Sequence, residues 1–121
     1  MATILVVDDE APIRQVLRRF LVRERHTVLE AEDGVAALAL LDNQRADIAF
    51  VDLMMPRMGG VELMRQMKIG HKDVAVIVIS AFEEMIELAV QNKVVVATLK
   101  KPFELADLAA ALRKALKDIE C

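Results

Sequence analysis

Only one cysteine, Cys121, occurs in 121 residues, so no internal disulfide can form and a reducing, cytoplasmic setting fits. Histidine is almost as scarce. His26 and His71 stand apart from each other and from the cysteine, which leaves no zinc pattern and reads as two surface histidines. Long apolar runs are missing too. The longest, such as Val74 to Ala81, fall far short of the roughly 20 residues that cross a bilayer, and MATILVVDDE has no basic stretch ahead of its apolar one. Neither a signal peptide nor a membrane contact is expected. No excess of positive charge exists either: a net charge of -3 argues against direct nucleic-acid binding, which needs a basic patch to release counterions. Low-complexity segments, interdomain linkers and sequence repeats are also absent.

What is present is a chain 55% hydrophobic and 29% charged, a balance that excludes disorder and fits one domain over residues 1–121 with a sizeable core. Ile4 to Val7 is a short apolar run without polar alternation, the pattern of a strand covered on both faces. A helix is expected from near Ala11, with Pro12 in its first turn and Ile13, Val16, Leu17, Phe20 and Leu21 at helical spacing. Thr27 to Ala31 is a second strand, and Val35, Leu38, Ala39 and Leu41 mark a second helix after Asp33-Gly34. The third strand is Ile48 to Val51, closed by Asp52. Leu63, Met64 and Met67 then mark a helix for which Gly70 is read as the C-terminal cap.

Val74 to Ile79 is a fourth strand that stops at Ser80, and Glu83 to Asn92 a shorter helix. Its stripe is Ile86, Ala89 and Val90, leaving Met85 and Leu88 as exposed apolar groups. Val94 to Leu99 is the fifth strand, and Leu105, Leu108, Ala109, Leu112, Leu116 and Ile119 mark the last helix. Five apolar strands alternating with five helices predict an α/β fold: a doubly wound, flavodoxin-like (βα)5 domain with a five-stranded parallel sheet and helices on both faces.

The polar residues at the carboxyl ends of these strands are Asp8 and Asp9, Asp52, Ser80 and Lys101, all on one sheet edge. In the order 2-1-3-4-5 the first and third strands are neighbours, so the three aspartates converge there. Crowded carboxylates raise one another's pKa, and a hard divalent cation relieves the repulsion; oxygen ligands of this kind suit Mg²⁺, with Mn²⁺ as a substitute. Two cationic groups and a hydroxyl around one carboxylate suit a transferring phosphoryl group, with Asp52 as the nucleophile.

VVDDE at Val6 to Glu10, VDLMMPRMGGVEL at Val51 to Leu63, ISA at Ile79 to Ala81 and KKPF at Lys100 to Phe103 together resemble the receiver domain of bacterial two-component response regulators over the whole chain. The resemblance implies transfer of a phosphoryl group to Asp52 from a sensor histidine kinase or a histidine phosphotransfer protein. It implies Mg²⁺ held by Asp9 and Asp52, by Asp8 through water and by the backbone carbonyl of Met54. It also implies that Ser80 and Lys101 contact the phosphoryl group and that the Lys101-Pro102 bond is cis. Lys101 takes this role because it directly precedes the proline; Lys100 is expected to point away into solvent.

The sequence departs from many receivers where an aromatic residue stands three positions before the lysine. Here that position is Thr98, and the chain has no Tyr or Trp. Met54 and Phe82, two positions after Asp52 and Ser80, offer no group to orient an attacking water, so self-dephosphorylation is expected to be slow. Output is expected through protein contact at the face of the fourth helix, fifth strand and fifth helix, or through a phosphorylation-dependent homodimer, because the chain ends just after its fifth helix. The alternatives are a receiver cut from a longer DNA-binding or enzymatic regulator, a Mg²⁺-dependent aspartyl-phosphate phosphatase, which would carry an acid where Met54 stands, and an interaction module with a vestigial acidic site.

Overall fold

A computed structural model of the protein describes residues 1–70 and 73–120, so that His71 and Cys121 lie outside the described residues. Strands and helices alternate along the chain: β1 (Thr3–Val7), α1 (Ala11–Arg23), β2 (Thr27–Ala31), α2 (Gly34–Asn43), β3 (Ile48–Asp52), α3 (Gly60–Gly70), β4 (Ala75–Ser80), α4 (Glu83–Ala89), β5 (Val95–Lys100) and α5 (Leu105–Glu120). The strands form one parallel sheet in the order β2-β1-β3-β4-β5, as the run of two-sided apolar strands requires.

The two faces of the sheet bury separate cores. Ile4, Val6, Ile48, Phe50, Ile77 and Ile79 point toward α1 and α5, where they meet Leu17, Leu21, Leu108 and Leu112. The alternate residues Leu5, Val7, Ala49, Val51, Val76 and Val78 point toward α2, α3 and α4, where Leu41, Leu63, Met64 and Met67 cover them. This alternation is the period-two geometry of a strand buried on both sides. Among the described residues no helix is long and apolar enough to cross a membrane.

Several helix faces differ from expectation. On α2, Val35 and Ala39 are exposed and Ala37 is buried instead; GVAALALL is apolar all round, so its periodicity marks no face. On α5, Ala111 and Ala115 are buried while Leu105 and Ile119 are exposed, because small side chains let the helix approach the sheet closely. The helix α4 ends at Ala89 rather than Asn92. Val90 is exposed, and Met85 is half-buried against the second core, which leaves Leu88 as the exposed residue of the expected pair. Gly70 is the last helical residue, with no positive φ, so it is not a left-handed cap.

The register carries the polar residues to one place. Val7 pairs with Val51, so Asp8 and Asp52 come next on adjacent strands. Asp52 pairs with Ile79, and Ser80 with Lys100, which places Ser80 and Lys101 on the same edge.

Candidate functional site

Asp52 ends β3 with its side chain almost fully buried. Its Oδ1 accepts the Met54 amide at 3.0 Å and its Oδ2 accepts Lys101 Nζ at 3.2 Å. Burial pushes its pKa up to about 6; the Met54 hydrogen bond opposes this, the Asp8 charge adds to it, and Lys101 pulls it back. Asp8 is wholly buried. Its Oδ1 accepts the Glu10 amide at 2.9 Å, while Oδ2 forms an ion pair with Lys101 Nζ at 3.1 Å and accepts no well-formed hydrogen bond among the described residues.

Lys101, directly after β5 and followed by a cis bond to Pro102, reaches across to the acidic residues. Beyond Asp8 and Asp52 it contacts Glu10 Oε2 at 2.7 Å. Burial works against its charge, but the contacts with Glu10 and Asp8 and the charge of Asp52 outweigh that and raise its pKa. Lys101 is cationic throughout the neutral range. Lys100 points the other way and pairs with Glu83 at 3.3 Å on the surface.

Asp8, Asp9, Glu10 and Asp52 bring one carboxylate oxygen each within 4.8 Å of the others. Four hard oxygen donors, with a buried oxygen of Asp8 that accepts no hydrogen bond among the described residues, fit a divalent cation such as Mg²⁺ better than a soft metal. An open cleft of about 320 Å³ joins Asp9, Glu10, Asp52, Met54, Ser80, Ala81, Phe82 and Lys101. Within it Ser80 is buried and its Oγ accepts the Phe82 amide at 3.0 Å, while Met54 and Phe82 are half exposed at the mouth.

Thr98 is not in this group: it is exposed on β5 and lines an adjoining groove with Ala110 and Lys114 of α5, which Lys101 also borders. Two residues escaped the sequence reading. Glu10 was visible only as the third acid of a run, and the surface helix start just after it gave no sign that it would turn toward Lys101. Arg57 ion-pairs with the buried Asp33, which also caps α2 by accepting the Ala36 amide at 2.8 Å. The Ala36 hydrogen bond foremost, and then Arg57, hold the Asp33 pKa down against the effect of burial. The cap is readable in Asp33-Gly34; its cation, on a distant loop, is not.

Sheet order and acidic cleft together define a CheY-like, flavodoxin-type α/β domain. The chain belongs to the response regulator receiver domain family, whose description matches residues 4–113. Response regulator MprA of Mycobacterium sp. (strain KMS) is 39% identical over 115 residues, covering 94% of this chain and 50% of its own length. This chain thus spans about half the length of the curated relatives it matches. Among solved structures, the chemotaxis response regulator CheY4 of Vibrio cholerae is 28% identical with a TM-score of 0.86, covering 95% of this chain and 98% of that one. The response regulator TrrA of Thermotoga maritima, in complex with Mg²⁺-BeF, is 28% identical with a TM-score of 0.84, covering 95% and 99%. The domain is therefore a two-component signalling switch; such receivers are signalling domains rather than typical enzymes, and they interact with histidine kinases and downstream effectors.

Proposed function

We propose that Asp52 accepts a phosphoryl group from the phosphohistidine of a sensor histidine kinase or phosphotransfer protein. The observation that carries this reading is the buried Asp52 carboxylate held beside Asp8 and 3.2 Å from Lys101. A carboxylate oxygen attacks phosphorus, a P–O bond forms, and the P–N bond breaks with its electron pair leaving on the imidazole nitrogen. Lys101 meets the charge on the phosphoryl oxygens in a site it already occupies, and Ser80 donates its hydroxyl hydrogen to a phosphoryl oxygen while its Oγ can go on accepting the Phe82 amide. Mg²⁺, or Mn²⁺ in its place, would be held by Asp9, Asp52 and the Met54 carbonyl, with Asp8 acting through water. When bound it neutralises phosphoryl charge and favours the ionised form of Asp52. The Mg²⁺-BeF complex of TrrA supports this assignment by likeness.

Met54 and Phe82 present apolar side chains at the cleft mouth, and neither orients a water, so the acyl phosphate decays slowly. Without an aromatic residue at Thr98, output depends on the Ser80 and Lys101 rearrangement, read by a protein partner at the α4-β5-α5 face, where Leu88 and Val90 are exposed, or by a second copy of the domain in a phosphorylation-dependent homodimer. A second reading, a receiver joined to an effector in a longer regulator, is favoured by the half-length match to MprA.

The test is intact mass spectrometry after incubation with acetyl phosphate, with and without Mg²⁺. A single Mg²⁺-dependent phosphoryl adduct, absent in Asp52→Asn, is expected. No adduct under conditions where Mg²⁺ binds would reject the assignment.

A further inference from the structure

The loop between β3 and α3 carries Met54, and it is fastened at two points. At its far end Gly60 donates its amide to the Leu53 carbonyl at 3.3 Å, and a Cβ there would stand 2.8 Å from Leu53 Cα. In its middle the loop is tied to the start of α2. Gly34 donates to the Met58 carbonyl at 3.1 Å, a Cβ on Gly34 would come within 2.7 Å of Met58 Cγ, and Arg57 Nε donates to Asp33 Oδ2 at 2.7 Å.

Arg57 makes that contact from a left-handed backbone, φ 63°, which a glycine would adopt without strain. Its own side chain is 60% exposed and gains little by burial, whereas the Asp33 carboxylate it reaches is 4% exposed. The buried anion, not solvation of the arginine, is what this conformation serves. Between the two fastenings lies Met54, whose amide is already fixed on Asp52 Oδ1.

We propose that Arg57, through Asp33, is a positioning residue for Met54: the ion pair clamps the loop to α2 and so holds the Met54 peptide in place for the cation. This rests on the reading of Met54 as a carbonyl ligand, and it predicts that cation affinity depends on a pair that touches neither cation nor phosphoryl group.

Mg²⁺ is titrated into wild type, Arg57→Gly, Asp33→Asn and the double variant, following the amide NMR signals of Asp52 and Met54. Glycine accepts the backbone at 57, and asparagine still caps Ala36, so both variants keep the fold while losing the pair. Each single variant is expected to bind Mg²⁺ about tenfold more weakly, with the Met54 amide signal displaced before any metal is added. The double variant is expected to bind no more weakly than the singles, because one interaction is lost only once. Wild-type affinity in both singles, or losses that multiply in the double variant, would overturn the clamp. A wild type that binds no Mg²⁺ would instead overturn the functional reading on which the clamp rests.

Discussion

Asp52 gives the metal-free domain a pH signature of definite sign. Its folded pKa, about 6, lies above the ordinary 3.8, so the folded state holds the proton more tightly than the unfolded chain. Its contribution to stability is complete below about pH 4 and is lost as pH rises through 6. At about 1.4 kcal/mol per pKa unit, and allowing for solvent screening at an open cleft, the loss is about 2 kcal/mol. Relative to Asp52→Asn, wild type is expected to weaken by that amount between pH 4 and 7, measured by urea unfolding without divalent ions; parallel stability curves would refute it. His26, whose pKa burial lowers from 6.5, has the opposite slope, and the comparison between the two proteins cancels it. At this scale the sequence showed the residues that end strands, since a carboxylate or lysine after an apolar run can only emerge at the sheet edge. Glu10 and Arg57 were hidden because their roles come from contacts across elements.

Two glycines show how differently the same residue type acts in an element. A Cβ on Gly60 would strike the Asp52 carbonyl oxygen and sit 2.8 Å from Leu53 Cα, both backbone atoms with little room to move. Gly60→Ala is expected to cost about 2 kcal/mol and to slow phosphorylation by displacing Asp52. A Cβ on Gly70 would meet nothing within 4 Å among the described residues, and its backbone is already helical without a positive φ, so Gly70→Ala is expected to stabilise by about 0.5 kcal/mol. Urea midpoints of the two variants, moving in opposite directions, check both. Each strand lies within a residue of its expected bounds: the central β1, β3 and β4 were legible because two-sided burial leaves continuous apolar runs, while the less buried edge strands β2 and β5 were legible from their short apolar stretches. Helix faces were less so: the all-round apolar α2 and the alanine-lined α5 owe their inward faces to packing that periodicity does not record.

For the whole molecule, a ligand that binds only the folded state stabilises it by mass action. At a Mg²⁺ concentration 100 times its Kd the gain is about 2.7 kcal/mol, or roughly 10 °C in Tm for a domain of this size. Far-UV circular dichroism is the suitable probe, since the chain has no Trp or Tyr to report unfolding by fluorescence. The shift is expected to shrink sharply in Asp9→Asn; an equal shift in that variant would place the cation elsewhere. The strand order β2-β1-β3-β4-β5 sets β3 in the middle of the sheet. Neighbouring strands lie about 4.8 Å apart, so even the outermost strand ends are about 10 Å from Asp52. That distance is close to the screening length of about 8 Å in physiological salt. Charge placed at Asp52 would therefore act by its field alone mainly on the loops that follow β1 and β4, one strand away, and only weakly on those after β2 and β5, before any side chain has moved.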